Sequence, residues 1–345
     1  MALRELDNPT NPFAHADVEY EPGERPNAKL SIYVDKPKQV VSRNDSKDIP
    51  TGYSVNPYQG CLHACAYCYA RPYHEYWGFG AGTDFERKLV IKPDAPARLR
   101  DYLRKHDLKG EWLLFSGATD CYQPLEATHK ITRACLQVCL EYDVAVGIIT
   151  KSALIERDID LLAELHAQCG LHVNISLPFW HLDIARALEP YAAVPQRRIR
   201  TIERLRARGI DVGISISPFI PEISEPEILP LMRHAKEAGA TGYFWTMLHL
   251  PGSSYPVFEQ RIRQAFPLRA DKIMARVNEV HPGAAAHRTT GQRMRGTGHY
   301  ANLAKQLVHS AAASAGLPVH SGRTPLPASP IVRPRPGAQL DLFAK

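Results

Sequence analysis

No stretch of about eighteen consecutive apolar residues occurs in the sequence, so no membrane-spanning helix is expected. The opening run Met1-Ala2-Leu3-Arg4-Glu5-Leu6-Asp7 lacks the apolar centre of a secretory leader. Cysteine is sparse, at 7 in 345 residues, and the odd number has no framework spacing. This argues against a disulfide-built fold and for a reducing compartment, so a cytoplasmic location is expected. No internal repeat of the solenoid kind is present, which argues against stacked-repeat architectures. Neither sign of charge dominates. The 42 Lys and Arg residues against 36 Asp and Glu leave +6, a modest lean toward anionic partners that does not by itself identify nucleic acid.

What is present divides into three parts. Residues 1–50 are polar, rich in Pro, Asn and Asp, and without helical period, so an extended N-terminal arm is expected. Residues 51–310 form the core, and residues 311–345, rich in Ala, Ser, Pro and Arg, read as a disordered tail. Within the core, short apolar runs at 53–58, 112–115, 144–149, 172–176, 212–217 and 243–248 predict strands. Amphipathic stretches at 131–140, 154–166, 197–208 and 226–238 predict helices between them. Six such alternations predict an α/β fold with a parallel sheet, either a partial barrel or a doubly wound sheet, with its chemistry at the C-terminal strand ends.

Chemistry enters with Gly60-Cys61-Leu62-His63-Ala64-Cys65-Ala66-Tyr67-Cys68-Tyr69. Cys61, Cys65 and Cys68 have the spacing C-x3-C-x2-C. Three thiolates this close can hold three irons of a [4Fe–4S] cube and leave the fourth iron open, whereas most such cubes have four cysteine ligands. A structural zinc site would need a fourth ligand, and only His63 is near, with no second C-x2-C pair.

This spacing, with an aromatic residue just before the last cysteine, resembles the cluster motif of the radical S-adenosylmethionine (SAM) enzymes. The resemblance implies a partial (β/α)6 barrel whose [4Fe–4S] cluster and SAM are the cofactors. It implies that the open iron chelates the amino and carboxylate groups of SAM. An electron, from a donor such as flavodoxin or ferredoxin, would then cleave SAM to methionine and a 5′-deoxyadenosyl radical. In this frame Ser116 and Gly117, after the second strand, are candidate contacts of the SAM amino group; a tight turn capped by Asp120 is the alternative. Lys151, after the third strand, could meet the SAM carboxylate, or be a surface lysine. Asn174 and Ser176 could reach the ribose hydroxyls, or form a polar strand face. Ser215 opens Ser215-Ile216-Ser217-Pro218-Phe219-Ile220-Pro221, which resembles the adenine-packing segment, and Tyr67 would support the cluster or adenine unless it is core packing. Cys121 could donate a hydrogen atom to a substrate radical, or be a buried thiol. Cys135 and Cys139, four apart on one helix face, read as core.

The resemblance extends to a subgroup. Asn56-Pro57-Tyr58-Gln59-Gly60, Tyr69-Ala70-Arg71-Pro72, Thr119-Asp120 with Tyr122-Gln123-Pro124 and Glu126, Arg157-Asp158, Glu189-Pro190 with Arg198, and Arg293-Met294-Arg295-Gly296 resemble radical SAM proteins related to spore photoproduct lyase. That implies a lyase-like enzyme of DNA repair, acting on DNA. Two departures weaken transfer of the donor role and of a loop geometry. The donor-cysteine position corresponds to Ala118, and Ile220-Pro221 continues as Glu222-Ile223-Ser224-Glu225. The alternatives are a radical SAM enzyme on a small molecule or peptide, and a non-catalytic iron–sulfur accessory protein of the sliding clamp.

Near the end, Gln339-Leu340-Asp341-Leu342-Phe343 resembles the pentapeptide with which bacterial repair proteins dock to the sliding clamp. Leu342 and Phe343 would be the apolar anchors and Gln339 a polar one. The proline-rich stretch 316–337 would be its tether. A chance match in a low-complexity tail is the alternative. Arg197, Arg200, Arg204 and Arg208 form a stripe on a predicted helix, either a solvated face or a DNA contact.

Overall fold

Six parallel strands lie side by side in the order in which the chain makes them. The computed structural model describes residues 29–46, 48, 51–108, 110–283 and 291–319. Its strands are β1 (Ser31–Val34), β2 (Val41–Arg43), β3 (Tyr53–Val55), β4 (Tyr58–Gln59), β5 (Lys88–Ile91), β6 (Trp112–Phe115), β7 (Ala145–Thr150), β8 (Leu171–Ser176), β9 (Val212–Phe219) and β10 (Tyr243–Met247). The main sheet has the order β10-β9-β8-β7-β6-β3-β2, with β2 antiparallel at one edge. A doubly wound sheet would reverse its strand order at a switch point. This one never reverses, and β10 and β2 remain as edges. The fold is therefore an open, partial (β/α)6 barrel.

The two faces of this sheet differ, and that difference makes the site. Side chains alternate along a strand. Val146 and Ile148 of β7, Leu171, Val173 and Ile175 of β8, and Val212, Ile214 and Ile216 of β9 join one apolar core. The helices Ile131–Glu141, Ile159–Gln168, Pro195–Arg206 and Ile228–Glu237 bury residues in the same core. Cys135 and Cys139 are wholly buried there. The alternate positions, His172, Asn174 and Ser176 of β8 and Gly213, Ser215 and Ser217 of β9, face the other way. A parallel sheet usually carries apolar residues on both faces. Here the inner face is polar along β8 and β9.

Several boundaries differ from the sequence expectation. The run 53–58 divides into β3 and β4, because Pro57 has no N–H to continue a ladder. β4 pairs instead with β5, and β1 pairs with β5 on its other side, in a three-stranded sheet that the periodicity did not reveal. The helix expected at 154–166 starts as a tighter turn, Ala153–Asp158, before the α-helix Ile159–Gln168. The last helix, Gly298–Ala315, runs beyond the boundary expected at 310, since Ala304, Val308, Ala311 and Ala312 bury one stripe. Leu317 is buried, and the Tyr243 N–H donates to the Pro318 carbonyl at 3.0 Å, so the packed chain continues to there. Among the described residues of the arm, β1 and β2 are strand-paired. No described helix is long and apolar enough to cross a membrane.

Candidate active site

The cysteine loop leaves β4 through Gly60, whose φ is +74°. A Cβ there would sit 2.7 Å from Leu89 Cδ2 and 2.9 Å from the Phe85 carbonyl oxygen, so only glycine fits. The Cys61 N–H donates to that same Phe85 carbonyl at 3.0 Å. Buried Gln123 grips the loop from below: its Nε2 donates to the Gly60 carbonyl and its Oε1 accepts from the Leu62 N–H, both at 3.1 Å. Arg71 grips the other end. Its buried guanidinium donates to the Cys65 carbonyl through Nη2 at 2.9 Å, to the Ala81 carbonyl at 2.8 Å, and to Glu86 at 2.6 Å. Ser254 Oγ donates to the Cys68 carbonyl at 3.0 Å. The loop's backbone is thus held by side chains, and its thiols are left for ligation.

All three thiols are free of disulfide. Burial raises the Cys65 thiol well above its ordinary range; Lys151 opposes this, while Glu189, Cys61 and Cys68 add to it. Among the described residues no group of three or more His, Cys, Asp or Glu side chains is gathered to hold a single metal ion. A cube takes one thiolate per iron, and three thiols spaced around a loop fit that donor set. His63 lies beneath, with Nδ1 3.3 Å from Asp120 Oδ2, an ionic contact and not an aligned hydrogen bond. Burial favours a neutral His63 ring, but Cys61 and Asp120 outweigh it and hold the imidazole pKa at about 10.

Lys151 follows β7 directly and stands over the cysteine loop. Its Nζ is 4.0 Å from Glu189 Oε1 and 5.6 Å from the centre of the Tyr67 ring. Burial pulls its pKa down, and Cys65 and Glu189 more than compensate, so the amine stays charged. Tyr67 donates its hydroxyl to Glu189. Arg198 donates Nη2 to Glu189, Nη1 to the Ser176 carbonyl at 2.9 Å and Nε to the Ala193 carbonyl at 2.7 Å. Two cations thus face one carboxylate. Arg198 is bound on every side, whereas Lys151 is loosely held and able to turn toward another anion.

A model of the radical SAM superfamily matches residues 55–235. This chain belongs to the radical SAM superfamily. An uncharacterised protein of Mycobacterium tuberculosis is 33% identical over 235 residues, covering 68% of each chain. Another, of Methanocaldococcus jannaschii, is 29% identical over 203 residues, covering 59% of this chain and 73% of the relative. A solved structure of a spore photoproduct lyase mutant superposes with a TM-score of 0.60 at 16% identity, covering 89% of this chain and 88% of that one. Spore photoproduct lyase complexed with a dinucleoside spore photoproduct gives 0.52 at 16% identity, covering 73% and 72%. These likenesses establish the fold. The superfamily carries an iron–sulfur cluster and SAM.

On the inner face of this radical SAM barrel, the buried polar atoms Asn174 Oδ1 and Ser217 Oγ have no hydrogen-bond partner among the described residues. They lie on adjacent parallel strands, in register Asn174↔Gly213 and Ser176↔Ser215. Buried polar atoms are almost always satisfied, and orphans on a concave face fit a polar ligand such as SAM. Ser176 and Ser215 are buried on the same face, and their carbonyls accept from Arg198 and from the Leu177 N–H at 2.8 Å. Ser217 was not singled out by its motif, although strand parity with Ser215 would have found it. Ser116 has φ +77°, and its Oγ accepts from the Cys121 N–H at 2.9 Å, so its hydroxyl shapes the turn. The Gly117 carbonyl accepts from Tyr69 Oη at 2.6 Å. Asp120 does hold that loop, as a turn residue would, accepting from the Tyr122 N–H at 2.9 Å and from the Lys151 N–H at 2.8 Å.

Cys121 is wholly buried in the apolar core, and burial raises its thiol pKa well above the ordinary range. Behind it Glu126 binds Tyr58 Oη, the Thr132 N–H and Arg157, and Asp158 binds Arg157, Arg133 and Tyr122 Oη. This network accounts for Tyr58, Tyr122, Glu126, Arg157 and Asp158 among the motif residues. On the arginine stripe, Arg197 and Arg204 both bind Glu156, which supports the solvated-face reading. The segment Gln339-Leu340-Asp341-Leu342-Phe343 lies outside the described residues.

Proposed function

We propose that this radical SAM protein holds a [4Fe–4S] cluster on Cys61, Cys65 and Cys68, binds SAM at the open iron, and repairs or modifies nucleic acid. The observation that carries the cofactor reading is the pairing of three free thiols on a clamped loop with a loosely held cation, Lys151, beside them. When bound, these cofactors supply homolytic chemistry: one electron opens the SAM sulfonium to methionine and a radical that abstracts hydrogen. The chain's own residues bind and orient. Lys151 pairs with the SAM carboxylate, and Ser116 and Gly117 shape the loop at its amino end. Asn174, Ser176, Ser215 and Ser217 line the wall for ribose and adenine. Tyr67 backs Lys151 through its ring and holds Glu189 through its hydroxyl.

Support for nucleic acid comes from the spore photoproduct lyase fold, one copy of which carries a dinucleoside photoproduct, and from the net charge of +6. DNA is the expected partner, with a small one-electron carrier as reductant. Docking to a sliding clamp through residues 339–343 belongs to the same proposal and rests on the sequence alone. Complete burial of Cys121 favours a packing role over hydrogen donation. The test is an anaerobic assay of reconstituted protein with dithionite, SAM and oligonucleotides carrying defined lesions, reading 5′-deoxyadenosine and the nucleic-acid product. Lesion-dependent turnover is expected. Deoxyadenosine formation that no oligonucleotide alters, alongside turnover with a small molecule or peptide, would reject the nucleic-acid part. No SAM cleavage at all would leave only a non-catalytic iron–sulfur role.

A further inference from the structure

Beside the cluster loop the chain turns aromatic rings outward. Tyr69, Tyr73, Tyr76 and Trp77 follow Cys68 closely and are 40–71% exposed. Three of them sit on the one short helix Arg71–Trp77, whose buried residues are Arg71, His74 and Glu75. The usual arrangement is inverted: a cation, an imidazole and an acid are inside while the rings are outside. In a helix of three residues per turn, Tyr73 and Tyr76 share one edge and Arg71 and His74 another, which Trp77 ends at the helix terminus, where it is 40% exposed. The inner edge is firmly fixed, since Arg71 holds the Cys65, Ala81 and Gly82 carbonyls and Glu86, and Glu75 accepts from Ser253. The outer rings are fixed at one end too. Tyr69 Oη is held by the Gly117 carbonyl at the C-terminal end of β6, and the Tyr69 and Tyr73 rings meet edge to face, with centroids 6.5 Å apart. The ridge therefore begins at the barrel mouth and leads away from it.

We infer that Tyr73, Tyr76 and Trp77 form a stacking platform for unpaired bases that flank the target nucleotide, so the substrate is taken as a single or locally opened strand. This rests on the nucleic-acid reading above. The rings are flat and tipped with polar groups, as a surface that receives bases without regard to sequence requires. A base inside an intact duplex cannot reach a site at the bottom of a barrel mouth, and opening the strand exposes its neighbours for stacking.

The test is fluorescence anisotropy with a labelled oligothymidylate of about twelve nucleotides, alone or annealed to its complement. Wild type is expected to prefer the single strand and to show quenched tryptophan emission on binding. Tyr76→Ala/Trp77→Ala is expected to lose about ten-fold or more in affinity, and Trp77→Phe to keep most of it. Both variants should retain iron content and the circular dichroism of wild type, because the changed side chains are exposed. Equal affinity of wild type and the double variant for the single strand overturns the platform while leaving the nucleic-acid reading intact. Binding of wild type to neither form overturns both. Loss of self-association in the double variant by sedimentation, with strand affinity unchanged, assigns the ridge to a second copy of the chain instead.

Discussion

Arg198 and Glu189 form an ion pair in which each side chain is only 1% exposed. The pair is joined to the rest of the site by Tyr67, which donates to the same carboxylate, and by Lys151, 4.0 Å away. An isolated buried charge is costly, so Glu189 keeps two cations in place where neither could stand alone. The second of them, Lys151, has contact to spare for a ligand.

Lys151→Ala is expected to weaken SAM binding by roughly 1–3 kcal/mol, the range for a charged hydrogen bond in a partly buried pocket. The cluster's absorption spectrum should be little changed, because Lys151 is no iron ligand. Equilibrium binding of SAM to the reconstituted protein measures this. Unchanged affinity would return Lys151 to the role of a neutraliser of Glu189.

Anaerobic reconstitution should load about four irons and four sulfides per chain. Cys61→Ala, Cys65→Ala and Cys68→Ala should each lose the cluster and SAM cleavage. Gln123→Leu should lower cluster retention without removing a ligand, because the Gly60 carbonyl and the Leu62 N–H lose their partner, at about 1–3 kcal/mol. Iron and sulfide assays decide the point; full iron content and turnover in a triple cysteine variant would reject the ligand assignment.

Acid should act through Asp120. Burial alone would raise its carboxyl pKa, but His63 and the hydrogen bonds from Lys151 N–H and Thr150 Oγ1 outweigh that and hold it at about 2, against an ordinary 3.8. A depressed carboxyl contributes stability that is fully present above the ordinary value and is lost as pH falls through the folded one. Between about pH 4 and pH 2 wild type should therefore lose on the order of 2 kcal/mol that Asp120→Asn does not. Urea midpoints across that window, compared at equal iron content, provide the measurement, and parallel slopes would contradict it.

A peptide covering residues 337–345 should bind a bacterial sliding clamp at roughly micromolar strength, since few anchors act and ordering a chain is costly. Leu342→Ala with Phe343→Ala should abolish it. A competing clamp-binding peptide should displace it, whereas simple charge adhesion would fade with salt. Absence of binding at low salt would make the pentapeptide a coincidence.

The sequence by itself determined the spacing of the three cysteines and the six parallel strands of the main sheet. Cys61, Cys65 and Cys68 are neighbours along the chain, so their meeting needs no tertiary contact to be foreseen, and β/α alternation is written in local periodicity. Strands expected at 112–115 and 172–176 appear as Trp112–Phe115 and Leu171–Ser176 for that reason. Tertiary structure alone decided which polar groups would face the cofactors and which would be consumed in holding the loops. The sequence offered Ser116 as a ligand contact and Asp120 as a turn cap, and in the structure the side-chain oxygens of both take backbone N–H groups. Glu189 and Arg198 were visible as motif residues, but only the packing of their segments against the sheet brings them to Lys151 and Tyr67. The small β1-β5-β4 sheet likewise depends on pairing between distant segments. Spacing along the chain sets what neighbours can bind; burial, which forces every enclosed charge and N–H to find a partner, sets the rest.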